Sequence, residues 1–315
     1  MKLSTIKYIA VAMLLGLSIT SCEDFLDRPA EDSYNDSNYY QNDEQCKAGV
    51  LSLYNVPWYD FLSRGFYKIP EVMAGNIYMG GSPYLSLNVN GSDPDIKSTS
   101  ESLWAVNAQA NVIYNRLKSA NASETVKSAC MGECLAWKAM AYFYLVRIFN
   151  DVIYLDTPVN DFTSANNMTK TPAKEIYNKI VEDLEYAEAN LPVKWDSGTE
   201  RPTVAAAKSL LSWVYITMAG EQVKDNTMWA KAASKAKEVI DNAATYGIKL
   251  EENYADLWLV NNRYNKESIF ALNFADGLGD NQCGAEWRPT SIGSESGWGF
   301  FYTKQSYIDK FDDKD

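Results

Sequence analysis

From residue 101 to 246 the apolar positions recur at three- and four-residue steps, the spacing that lines one face of an α-helix. Leu103, Trp104, Val106, Ile113, Tyr114 and Leu117 predict a helix over Glu101 to Ser119. Within 124–149 the stripe is Leu135, Ala139, Tyr142, Phe143, Val146 and Phe149. A third set, Ile176, Ile180, Val181, Leu184, Ala187 and Leu191, has clear ends. Thr171 is placed to cap free amides, Pro172 suits the first helical position, and Pro192 forbids continuation. After Arg201-Pro202-Thr203, the residues Leu210, Leu211, Val214, Tyr215 and Met218 share a face up to Gly220. Trp229, Ala232, Ala233, Ala236, Val239 and Ile240 make a last stripe before Tyr246-Gly247. Trp104, Trp137, Tyr142, Trp213 and Trp229 all fall on these stripes, where core packing is the expected role.

Small residues such as Ala205, Ala206, Ala207, Ala232, Ala233 and Ala236 let neighbouring helices approach closely. Long helices in succession with such faces predict a mainly α fold, an irregular tetratricopeptide-like solenoid lacking the full repeat signature. Two stretches break the periodicity: 55–100, with Gly75, Gly80, Gly81, Pro83, Gly91 and Pro94, and the glycine- and aromatic-rich 275–303. Loops of that length in a compact chain are usually functional or disordered. Their aromatic content favours function.

The amino terminus carries a different pattern. Lys2 and Lys7 precede an apolar run from Tyr8 to Leu17, too short for a membrane span of ~20 residues and suited to a secretory signal. It closes on Ile19-Thr20-Ser21-Cys22, which looks like a bacterial lipobox, so cleavage before Cys22 and lipidation of its sulfur are expected. Several acyl chains on one residue exceed the threshold for stable anchoring. The expected organisation is a signal peptide over 1–21, a lipidated flexible tether over 22–42, and a helical domain over 43–315. Glu23-Asp24, directly after the cysteine, resembles an acidic surface-export tag and equally fits a solvated linker.

Composition changes the picture mainly by exclusion. The 315 residues contain no histidine, which removes Ser-His-Asp, Cys-His and His-zinc chemistries. A formal charge of −12 without a basic cluster argues against nucleic acid as a partner. With 21 Tyr and 9 Trp the chain is richer in amphipathic rings than core packing demands. Cys130 and Cys134 lie one helical turn apart, but Cys46 and Cys283 are distant in sequence. Buried small residues are therefore the expected role, with a disulfide allowed outside the cytoplasm. No metal and no cofactor are called for.

Several blocks in order resemble one family. Ser21-Cys22-Glu23-Asp24-Phe25-Leu26-Asp27 looks like the usual mature start of the SusD/RagB-like nutrient-binding lipoproteins of Bacteroidetes outer membranes. Trp104 with Tyr114 resembles the family's early helix, and 132–143 (GECLAWKAMAYF) is similar to its most recognisable block, continuing into Phe149-Asn150-Asp151-Val152. Residues 176–192, the alanine-rich 203–219, Val239-Ile240 through Tyr246, and Glu267-Ser268-Ile269-Phe270 follow in family order. Lys138 stands where the family usually has arginine, and Asn150 and Ile153 replace a usual glycine and proline. The final Tyr307 to Asp315 resembles a segment that normally sits mid-chain, so a C-terminally truncated member is expected.

The resemblance implies a non-catalytic protein. It would hold an oligosaccharide or other nutrient at the outer-membrane surface and pass it to a SusC-like TonB-dependent transporter. Aromatic faces suit sugar rings, while Asn and Arg satisfy hydroxyls. The loops supply the candidates: Asn76, Tyr78 and Tyr84 in the first, and Trp287, Arg288, Trp298 and Tyr302 in the second. Two rival readings remain. One is a surface glycoside hydrolase, because paired carboxylates work without histidine and Asp276, Asp280, Glu286 and Glu295 crowd the second loop. The other is a pure protein-protein scaffold.

Overall fold

A computed structural model describes residues 39–54, 57–159, 163, 166–195, 201–273, 286–287, 290 and 297–312. Seven helices of eight residues or more run through them: α1 Asp43–Val50, α2 Pro57–Tyr67, α3 Pro94–Leu117, α4 Glu124–Phe149, α5 Ala173–Asn190, α6 Val204–Ala219 and α7 Met228–Asp241. From α2 to α7 each packs mainly on its sequence neighbour, as the solenoid reading expects, and α1 lies against α4. The fold is mainly α. No helix among the described residues is long and apolar enough to cross a membrane.

Four predicted helices sit where the periodicity puts them, and their ends have physical causes. Ser123 accepts from the Val126 amide at 3.4 Å to start α4, and Thr203 accepts from Ala206 at 3.4 Å to start α6. Asn150 closes α4 with φ at 60° and ψ at −114°, outside the left-handed helical region, a backbone that glycine takes more readily than asparagine. The start of α5 differs from expectation. Thr171 is held in a bridge, its amide donating to the Val152 carbonyl at 2.8 Å, while Asp151 Oδ1 caps the helix by accepting from Ala173 at 2.8 Å. A cap supplied from 22 residues away leaves no local signal.

Three further expectations are corrected. The stretch 55–100 is not all irregular: α2 fills Pro57–Tyr67 and runs into a wider π turn at Lys68–Val72. Helix α3 begins at Pro94 rather than Glu101, because Asp93 Oδ1 accepts from the Asp95 and Ile96 amides at 3.0 and 3.1 Å with proline in the first turn. Trp213 and Trp229 are not core residues, being 44% and 51% exposed. Trp137 and Tyr142 are buried as expected, and Trp104 is half-buried with its ring edge-on to Tyr142 at 6.0 Å.

Helix α4 is the centre of the core, buried on more than the one face its stripe predicts. It therefore carries buried charges that need partners. Glu133 accepts a hydrogen bond from the Tyr54 hydroxyl and a bidentate pair from Arg201, whose Nε lies 3.0 and 3.2 Å from the two carboxylate oxygens. The Arg201 guanidinium also stacks 3.8 Å from the Trp195 ring centroid. One turn on, Lys138 Nζ is 3.7 Å from Asp183 Oδ2 on α5 and 4.8 Å from the Tyr154 ring centroid. Cys46, Cys130 and Cys134 are buried free thiols, and burial pushes Cys130 up to about 12. Cys283 lies outside the described residues.

Candidate functional site: an exposed row of aromatic rings

The two loop regions meet in a two-stranded antiparallel sheet. Strand β1, Ile77–Tyr78, pairs with β2, Tyr302–Thr303, in the register Ile77↔Thr303 and Tyr78↔Tyr302. Directly opposed residues of such a pair share a face, so Tyr78 and Tyr302 stand on the same side of the sheet. They are 46% and 51% exposed.

The chain leading into β2 alternates. Trp298, Phe300 and Tyr302 are exposed, whereas Phe301 is 3% exposed and packs into a cluster with Val72, Ile77 and Tyr84. From Phe300 to Tyr302 the alternation is that of extended backbone, one face anchored and the other free. Trp298 and Phe300 have ring centroids 5.7 Å apart. Gly299 takes φ of 61°, and a Cβ there would meet the Tyr302 hydroxyl at 3.1 Å, so glycine lets the row bend.

The buried cluster fixes this row from beneath. The Trp287 ring sits 5.3 Å from Phe301 and edge-on to Tyr67 at 6.0 Å, half-buried under the sheet. Tyr84 is 1% exposed, and its hydroxyl donates to Asp93 Oδ1 at 2.6 Å, buttressing the cap of α3. Burial, reinforced by Asp93, pushes its phenol far above the ordinary range. Asn76 Nδ2 donates to Glu71 Oε2 at 3.0 Å, and the Asn76 carbonyl accepts from the Lys304 amide at 3.4 Å. Of the seven predicted ligand residues, Tyr78, Trp298 and Tyr302 thus share the exposed face. Asn76 flanks β1, while Trp287 and Tyr84 lie beneath. Arg288 and the lipidation candidate Cys22 lie outside the described residues.

Of the carboxylates that could act in pairs, only one falls among the described residues. Glu286 is 7% exposed, and Asp276, Asp280 and Glu295 lie outside the described residues. Among the described residues no cluster of three His, Cys, Asp or Glu can hold a metal. The row can do one thing chemically: offer flat apolar faces with hydroxyls at their edges. Phe300, which the sequence reading passed over, was findable from its two-residue spacing to Trp298 and Tyr302.

Comparison with known proteins agrees with this architecture. Residues 92–216 match the sequence model of the family SusD-like_3, described as starch-binding associating with outer membrane. A SusD-like protein of Bacteroides ovatus is 29% identical over 275 residues, covering 82% of this chain and 48% of its own. The crystal structure of a SusD superfamily protein from Parabacteroides distasonis superimposes with a TM-score of 0.75 at 23% identity, covering 86% of this chain and 60% of that one. A laminarin binding SusD-like protein superimposes with a TM-score of 0.67 at 24% identity, covering 85% and 63%. These matches support a SusD/RagB-like family member, and the solved structures share its fold. It spans about half the length of the Bacteroides ovatus relative.

Proposed function

We propose that the protein is a glycan-binding lipoprotein of the outer-membrane surface, which captures an oligosaccharide and delivers it to a SusC-like TonB-dependent transporter without cleaving it. One observation carries the reading: the exposed row Trp298, Phe300 and Tyr302, with Tyr78 across the sheet, on a rigid buried footing. Such rings pack on the apolar faces of sugars, and aromatic side chains lose little conformational entropy when they do so. In this reading Tyr78, Trp298 and Tyr302 make the contacts, Asn76 serves hydroxyls at the rim, Trp287 supports from below, and Arg288 is a further ligand candidate on its side-chain chemistry alone. The family description and the laminarin-binding relative support a carbohydrate ligand. Cys22 supplies the anchor through its acyl chains, and residues 22–42 the tether.

Affinity electrophoresis against a panel of glycans, followed by assay for new reducing ends, tests the proposal. Retardation by at least one glycan without product is expected. Released product would replace the carrier by a hydrolase, and no retardation by any glycan would leave a scaffold. For the anchor, Cys22→Ala should accumulate unprocessed, unlipidated precursor, and normal surface anchoring of that variant would refute it.

A further inference from the structure

A concavity adjoins the footing of the ring row, with Tyr67 belonging to both. Two cavities of about 650 and 380 Å³ share Phe61, Phe66, Tyr144 and Trp213, between α2, α4 and α6. Their walls are mostly apolar and aromatic, and the smaller one contains Arg147. Its guanidinium carbon stands 4.0 Å from the Phe143 ring centroid, 4.8 Å from Tyr144 and 4.9 Å from Trp213. Nε donates to the Phe143 carbonyl at 3.1 Å. The ionisable groups that face it are the Tyr144 and Tyr177 phenols, and burial works against its charge. Glu71, in the same wall, accepts from Asn76. Among the described residues no carboxylate stands within ion-pair distance of Arg147.

A half-buried cation without a counter-charge gives up hydration that nothing charged replaces. A guanidinium stacked on rings is also preorganised, because its planar fork matches a carboxylate with little further loss of freedom. Both cavities fall in the range of roughly 300 to 1,000 Å³ typical of small-molecule sites. We propose that this cleft binds a small organic carboxylate with a flat apolar body. The carboxylate pairs with Arg147, and the body lies against Trp213, Tyr144 and Phe66. The contacts proposed here use none of the exposed rings of the glycan row, so the inference does not depend on the glycan reading.

Isothermal titration of the purified protein with 3-phenylpropionate and with 3-phenylpropan-1-ol tests it. Saturable binding of the acid is expected, with the alcohol at least about tenfold weaker, since a charge-assisted pair replaces a neutral contact. Arg147→Met should weaken the acid about tenfold or more and leave the alcohol unchanged, with Arg147→Lys intermediate and helicity followed by circular dichroism. Should Arg147→Met fail to fold, the comparison of acid and alcohol on the unaltered protein still decides. Equal affinity for both compounds, or no binding of either, would overturn the proposal. So would binding of an acidic peptide in place of the aryl acid, which would make the cleft a protein-docking surface.

Discussion

Arg201 and Glu133, 68 residues apart in the chain, close a bidentate ion pair in which the carboxylate is fully buried and the guanidinium 8% exposed. The pair ties the approach to α6 onto the middle of α4. Removing one member strands the other charge in a dry site, so Arg201→Ala should cost about 3 to 5 kcal/mol. Urea denaturation followed by circular dichroism measures it. A cost below about 1 kcal/mol would mean that water reaches Glu133 when the arginine is gone.

The ring row and its footing should respond differently to substitution. Trp298→Ala and Tyr302→Ala remove exposed rings and should each weaken glycan retardation with the melting temperature unchanged. Tyr84→Phe takes away the hydroxyl that braces Asp93, so it should lower stability by about 1 to 3 kcal/mol. Glycan binding measured below its melting point should persist. Unchanged retardation in both ring variants would move the binding face elsewhere.

Asp183 contributes a pH dependence of a definite sign. Burial raises its carboxyl from 3.8 to about 6, outweighing the pull of Lys138. Between those values the folded state holds a proton that the unfolded chain releases, so stability from this group is present below 3.8 and is lost as pH rises towards about 6. Asp183→Asn should flatten that part of the melting-temperature profile, whatever its effect on the absolute value. An unchanged slope would show that Asp183 ionises normally in the fold.

Gly65 marks where α2 and α3 touch. A Cβ there would lie 2.1 Å from Thr99 Oγ1 and 3.2 Å from Thr99 Cβ, and Thr99 is fully buried. A β-branched side chain has few rotamers to retreat into. Gly65→Ala should therefore destabilise by about 1 to 3 kcal/mol despite the better helix propensity of alanine, a reversal that thermal melting would reveal.

The middle of the fold was legible because its apolar stripes repeat over several turns. Positions such as Ile176, Ile180 and Leu184 are buried on α5, where the three- and four-residue steps placed them. Helix α2 was not legible. It falls inside 55–100, which reads as irregular throughout, whereas Gly65 is a close helix contact and Pro70 lies in a π turn. Trp213 shows the limit of periodicity, since its spacing fits a core stripe while α6 leaves that side open to the cleft. The ring candidates came from aromatic content alone. No pattern in the chain predicts that Tyr78 pairs with Tyr302, because two-residue strands give too little alternation to read.

That pairing sets an order of events. Among the described residues β1 and β2 form the one sheet, and they join position 78 to position 302, whereas the helices dock on neighbours as they emerge. The helices can therefore stack turn by turn, whereas the ring face is complete only when position 302 reaches position 78. Contact across that separation closes the longest loop of the described fold, so the ring face forms late on folding and is the first part free to open.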